Sequence, residues 1–281
     1  VTLTRQQIRE DAAELLGLFA GTTVDIVTGA VLTIDNLEHL IPNGERARDA
    51  YVTKDGEVYR RITTSLNSNN EVTLTSSLPG LDNGDTVGIY FLLPPTAMTT
   101  AINDEVSVLS HEVREPITLV ANVNEYALPA WVTNRSQLLD VIFRKEESTK
   151  FREYKAPSFE VQTDDDVVTL RLIHVPLDLT DWSLIVRLRK YYDELTTESS
   201  TTTIPYPLAS RLARVAIYKR LRKQYGSEFV KKIFGWEAVE AEREYQAMKQ
   251  EHEPPIQVTS LYQDFEWDGP DFPLDYIKPS W

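Results

Sequence analysis

Residues 205–225 read PYPLASRLARVAIYKRLRKQY, and the reading of this run decides the fold. Pro205 and Pro207 stand at its entrance, where a missing backbone N–H costs a helix little. Setting one residue every roughly 100° gathers Ala209, Ala213 and Ala216 into one narrow stripe flanked by Leu208, Leu212 and Val215. Such a stripe lets another backbone approach closely. Arg211, Arg214, Tyr218 and Arg222 then fall on the opposite side, open to solvent or a partner. The run therefore predicts a long packing helix in a chain that is otherwise strand-like.

Working outward towards the C-terminus, Gly226 is a natural helix stop and Ser227 a candidate N-cap for the next helix. Within 228–250, Phe234, Ala238, Ala241, Tyr245 and Met248 alternate four and three residues apart, which is a packing seam; Gly235 marks a kink near its start. Beyond Pro254 the prolines become too frequent for a helix. Tyr262, Phe265, Trp267, Phe272, Tyr276 and Trp281 nevertheless supply large apolar groups, unlike the aromatic-poor composition of disordered tails. The same segment is acidic, with Glu251, Glu253, Asp264, Glu266, Asp268, Asp271 and Asp275 against Lys278. It is expected to be an extended arm that docks on a surface of its own or a neighbouring subunit, and Arg211, Arg214 and Arg222 offer an acidic partner a face.

Working outward towards the N-terminus, 194–204 is a Ser/Thr-rich stretch with the look of an exposed linker. Before it, segments such as QLLDVIFRK, VVTLRLIHVP and WSLIVRLRKYY alternate between Asn, Asp and Pro turns, which predicts a second small sandwich or barrel over 116–193. Residues 95–115 are expected to be helical, from Ala97, Ala101, Ile102, Val108 and Leu109. A first β module over 22–94 is predicted from β-branched alternation between turns at 43–44 (NG), 55–56 (DG), 67–70 (NSNN) and 82–85 (DNGD). At the front, within 1–21, Thr4 and Gln7 match a capping box, and Ile8, Ala12, Leu15, Leu16 and Phe19 predict a helix over 5–18. The sum is an α+β chain: a helical layer of about four helices carrying two antiparallel β modules, with C-terminal helices over 205–250 and the arm over 251–281.

Composition bounds the function. A chain of 281 residues buries roughly three quarters of its unfolded surface. It has no cysteine, so neither a disulfide nor a thiolate site is available, which fits a reducing cytosol. The opening residues hold no signal-peptide core and no run of about 18 apolar residues occurs, so no membrane partner is expected. A formal charge of −14 disfavours tight tracking of nucleic-acid phosphates, which needs Lys and Arg to displace counterions.

No catalytic, cofactor or metal site emerges. His39, His111, His174 and His252 are scattered, and HEVRE at 111–115 has Glu115 where a zinc-binding HExxH needs its second histidine. Asp164–Asp166 and DNGD lack the ligand alternation of a calcium loop and read as turns. Neither a nucleophile elbow nor a phosphate-cradling glycine loop occurs. A glycosidase needs two carboxyls fixed across one cleft, for which the sequence offers no local signature. Trp131, Trp182, Trp236, Trp267 and Trp281 lie on different elements, favouring core and docking roles over a carbohydrate platform.

One resemblance adds to this reading. A leading helix ending LGLFAGTTV, strands EVYRRITTSL, EVTLTSSL and GDTVGIYFLLP, an AINDEV helix, VNEYALPAWV, then TIPYPLA and ARVAIYKRL follow one another over residues 4–225. This order resembles the head-to-tail connector (adaptor, or neck) proteins of tailed bacteriophages. The resemblance implies a non-enzymatic virion protein without cofactor, assembled as a homo-oligomeric ring of commonly about twelve copies beneath the portal. Its partners would be the portal protein and tail or neck proteins, with viral DNA passing through unread. Another virion module (tail-completion or capsid-associated), a β-rich cytosolic enzyme and a carbohydrate-binding protein are the alternatives.

Overall fold

A computed structural model describes residues 2–34, 37, 50–64, 70–147, 150–156, 158–164, 167–173 and 181–254. The chain opens with β1 (Leu3–Thr4), α1 (Arg5–Leu15), β2 (Phe19–Thr23), β3 (Ile26–Thr28) and β4 (Val31–Thr33). There follow β5 (Ala50–Thr53), β6 (Tyr59–Arg61), β7 (Glu71–Thr73), β8 (Thr86–Phe91) and α2 (Pro95–Val106). The middle of the chain holds β9 (Ser110–Ile117), β10 (Glu125–Ala127), β11 (Leu138–Glu147), β12 (Lys150–Lys155), β13 (Phe159–Asp164), β14 (Val167–Leu172) and β15 (Trp182–Tyr191). It closes with β16 (Thr201–Thr202), α3 (Tyr206–Tyr225), α4 (Ser227–Phe234) and α5 (Glu237–His252). The described residues form two compact units: those of 1–109 with 192–249, and those of 110–191 with 250–254. The fold is α+β, a helical layer and two antiparallel β modules, the second inserted in the chain between α2 and α3.

The first unit is organised around α3. Ala209, Ala213 and Ala216 are all buried, and α3 packs on α1, α2 and α4. The α1 capping box forms as read: Thr4 Oγ1 accepts from Gln7 N at 3.2 Å, and Gln7 Oε1 accepts from Thr4 N at 2.9 Å. Its inward face, however, is Ile8, Arg9, Ala12 and Ala13, while Leu15 points out. The helix ends at Leu15, and Phe19, expected to continue its apolar face, starts strand β2. Strands β2-β8-β5-β6 form one sheet and β3-β4-β7 another, enclosing a core of Leu32, Val52, Ile62, Val72, Val87 and Ile89. The alternation of β8 sends Val87 and Ile89 into this core and Tyr90 into the helical core. Gly88 is required there, since a Cβ would sit 2.7 Å from the Phe19 ring.

The second unit is a sandwich. Sheet β12-β11-β15-β9 faces sheet β10-β14-β13, and Val141, Phe143, Leu184 and Val186 of the first meet Tyr126, Leu170 and Leu172 of the second. The outer face of the larger sheet carries a cross-strand ladder. Arg187 Nε and Nη2 donate to both oxygens of Glu112 at 2.9 and 2.6 Å, and Arg187 lies 3.5 Å from Asp140.

Three expectations are corrected. Residues 95–115 are not one helix: α2 stops at Val106, and 110–117 pair antiparallel with β15 from Ser110↔Tyr191 to Ile117↔Leu184. The β15 ladder satisfies this backbone, and Pro116 is tolerated because β9 is an edge strand. HEVRE is therefore strand. The packing seam of Phe234, Ala238, Ala241, Tyr245 and Met248 is present, its first four members buried, but Gly235, at φ 57°, divides it between α4 and α5 instead of kinking one helix. Ser227 is the first residue of α4 and Gly226 its cap, with φ 90°. The arm from 255 onward lies outside the described residues.

Candidate interaction surface

The arginine side of α3 is more enclosed than its sequence implies. Arg211 pairs with Glu244 of α5, and Arg222 lies 3.9 Å from Glu242 on the same helix. Tyr218 is buried, meeting Phe234 of α4 edge-on with ring centroids 5.0 Å apart. Burial, helped by Glu237 and opposed by Arg214, pushes its hydroxyl pKa up to about 12. The physical reason is that α3 is packed by α1, α2 and α4, and ion pairs join its arginine side to α5. Of the expected partner-facing side chains, Arg211, Arg214 and Arg222 are half-buried and Tyr218 is inside.

What stays open is the corner where α3, α4 and α5 meet. A cavity of about 350 Å³ lies there, lined by Val230, Ala238, Val239 and Trp236, with Arg222 and Lys231 among its polar members. Trp236 is 82% exposed, Val239 52% and Ile233 41%. The corner is held firmly: Tyr225 stacks on Phe229 at 4.8 Å and donates from its hydroxyl to the Leu92 carbonyl at 2.8 Å. An exposed tryptophan beside a partly apolar cavity is the kind of surface that makes this corner the candidate interaction site. The sequence signal was Gly235 next to Trp236; its reading as a mere kink missed that the break lifts Trp236 away from the seam.

Residues 194–204 are not the exposed linker they resemble. Leu195, Thr202 and Ile204 are buried, and β16 pairs with β1 through Leu3↔Thr202. The stretch carries Glu198, whose Oε1 accepts from Arg9 Nη1 at 2.6 Å and Arg5 Nη2 at 2.7 Å. Arg9 is fully buried, and also donates to the Tyr90 hydroxyl at 3.0 Å and Thr99 Oγ1 at 3.2 Å. Burial alone would lower the Arg9 pKa, but Tyr90 and Glu198 outweigh it and raise the value. Burial likewise pushes the Tyr90 hydroxyl well above its ordinary range. Asn103 closes the strap by bonding both backbone groups of Leu195, at 3.1 and 3.2 Å. Polar sequence misled here only in part: Glu194, Thr196, Thr197, Ser199, Thr201 and Thr203 are exposed, while Glu198 and Thr202 turn inward.

The remaining candidates fall into place as structure. In DNGD, Asp85 accepts from Lys54 Nζ and Asp82 N, both at 2.7 Å, which holds its carboxyl below the usual range; Gly84 turns at φ 84°. Asp164 ends β13, and 165–166 lie outside the described residues. His111 is on β9 and His252 at the end of α5, while His39 and His174 lie outside. Among the described residues no group of three or more His, Asp or Glu could hold a metal, and no helix is long and apolar enough to cross a membrane. Trp182 packs against Phe143 and Tyr154 in the second module, and Lys190 lies over Trp131 at 5.5 Å. Tyr262, Phe265, Trp267, Phe272, Tyr276 and Trp281 are outside the described residues. No family model matches this chain, and no curated protein matches it.

Proposed function

We propose that this chain is a structural protein of a tailed-phage virion, an adaptor subunit whose ring joins the portal vertex of the head to the tail and surrounds the DNA passage. The observation that carries the reading is the order of elements: a packing helix, α3, in a helical layer, with one β module before α2 and a second inserted between α2 and α3. That order accompanies the sequence likeness to connector proteins over 4–225. The formal charge of −14 suits the role, because DNA must slide and a lumen that gripped phosphate would hold it back. Each copy in a ring meets its neighbours through two different surfaces, a heterologous contact that closes. The acidic aromatic segment 255–281 supplies a piece able to reach the portal or the next subunit, gaining apolar burial when it orders on assembly.

Cryo-microscopy of the particle tests this. Density for the chain as a ring of about twelve copies between portal and tail is the expected result. Density elsewhere on the virion would make it a tail-completion or capsid-associated protein, and absence from the virion would overturn the proposal. Turnover on a glycoside panel, abolished by one carboxylate substitution, would mark an enzyme instead.

A further inference from the structure

Strand β9 lies at one edge of the larger sheet of the second unit. Tyr192 N donates to the Leu109 carbonyl at 3.1 Å, and Ser110 stands opposite Tyr191. In an antiparallel ladder this phase alternates the backbone groups: His111, Val113, Glu115 and Ile117 bond β15, while Ser110, Glu112, Arg114 and Pro116 turn their backbone outward. Pro116 fits there because the N–H it lacks would point away from the ladder. Among the described residues, the N–H groups of Glu112 and Arg114 meet no acceptor. Unpaired backbone groups along an edge are a template for another strand.

The chain's own C-terminal segment starts at this edge. Glu253 Oε1 accepts from Ser110 N, the first outward N–H of β9, at 3.2 Å, and the Pro254 carbonyl accepts from Arg189 Nη2 of β15 at 2.9 Å. Pro254 is buried there, and all four residues belong to the second unit. Two consecutive prolines keep the chain extended as it leaves. Residues 256–261 then read IQVTSL: uncharged, with β-branched residues, apolar Ile256 and Val258 alternating with polar Gln257 and Thr259. Only Pro255 separates them from the pinned Pro254, so their local concentration at the edge far exceeds that of a segment from a second copy. A strand from elsewhere would also have to pass the carboxylate that already caps Ser110.

We propose that the free edge of β9 is the docking site for residues 256–260 of the same chain, which lie along it as a parallel strand. With Pro255 turned away from β9, the carbonyls of Ile256 and Val258 accept from the N–H groups of Glu112 and Arg114, and the N–H groups of Val258 and Ser260 donate to the carbonyls of those two residues. The strand runs from Ser110 towards Pro116, whose missing N–H ends it. Val258 then stands beside Val113, which is half-buried and lies opposite the core residue Leu188, while Gln257 and Thr259 share the outer side with Glu112 and Arg114. Apolar side chains go in and polar ones out, as the alternation requires. The contact covers an edge open to pairing with other chains and fixes where the acidic aromatic remainder of the segment begins. It lies within one chain, beyond the adaptor reading and independent of it.

Hydrogen exchange on the full-length chain tests the strand. Val258→Pro removes an N–H that the docked strand donates, and is expected to speed exchange at the Glu112 and Arg114 amides by about tenfold or more while the Phe143 and Val186 amides are unchanged. The chain has no cysteine, so a cross-link gives a second reading. Mild oxidation of a chain carrying Val113→Cys and Val258→Cys is expected to form a disulfide within the chain, far exceeding that formed with Val113→Cys and Thr259→Cys, where the second side chain faces the other way. Three results overturn the proposal: exchange at Glu112 and Arg114 indifferent to Val258→Pro, cross-linking no greater than in the Thr259→Cys control, or a disulfide that joins two chains and so assigns the edge to a second copy. Microscopy of the particle decides the adaptor reading separately, whichever of these results is found.

Discussion

The two β modules reach stability by different routes. The first shares its inner strands with the helical layer: β8 turns Val87 and Ile89 into its own core and Tyr90 into the helical core, where Arg9 and Glu198 meet it. The second closes its core from residues of its own strands and loops, Phe143 among them, with a ladder of charges outside. One module is therefore part of the scaffold that positions the corner cavity, and the other is an insertion with a complete core of its own. A buried ion pair that ties three distant segments specifies an arrangement; a self-contained sandwich leaves its host free to exchange it.

The strongest attack on this contrast is a matched pair of substitutions. Arg9→Ala leaves the Glu198 carboxylate without its buried partner and should destabilise the first unit by about 3–5 kcal/mol. Phe143→Ala should cost the second unit about 3–5 kcal/mol. Hydrogen exchange then reads the units separately: Arg9→Ala should deprotect α1 and α3 while β11 and β15 stay protected, and Phe143→Ala should do the reverse. Loss of protection everywhere in both variants would break the comparison.

Next in size, Ala213→Trp should destabilise the first unit by about 1–3 kcal/mol in urea unfolding, because the position is fully buried between close-packed helices. Unchanged melting would remove the argument that the alanine stripe sets helix spacing.

A smaller effect sharpens the account of the second unit. Hydrogen bonding from Arg187, and secondarily from Arg114, holds the Glu112 carboxyl below its usual pKa of 4.5. Its contribution is therefore complete above that value and is lost as pH falls below it, through the lowered folded value. Glu112→Gln should cost the second unit under about 1 kcal/mol at neutral pH and flatten its acid sensitivity. An equally steep acid transition in the variant would move the titration elsewhere. Smallest of all, Arg222→Ala removes a partly exposed pair with Glu242 and should change the melting of the first unit by about 0.5 kcal/mol or less. A larger loss would mean that the α3–α5 contact carries more of the scaffold than its geometry implies.

Much of the framework was legible. The capping box at Thr4 and Gln7, the alanine stripe of α3 and the turn at 82–85 are local signals, each set by residues within a few positions of one another. Tyr218 and residues 110–115 were misplaced because their neighbours are distant: Phe234 faces the first, and β15 pairs the second. The corner cavity was illegible for the same reason, since it exists only where three helices converge.

By itself the sequence determined the helix-forming runs, the turns, the acidic balance and the aromatic segment at its end, because periodicity, capping chemistry and charge act over short range. Only the tertiary structure decided which flank of α3 would be covered, that a polar stretch would clasp a buried arginine, and that Trp236 would stand open beside a cavity. Arg9 and Glu198 are 189 positions apart, and no local propensity records such a meeting. It is fixed by desolvation: burying a guanidinium is unfavourable until a carboxylate from elsewhere in the chain is brought to it.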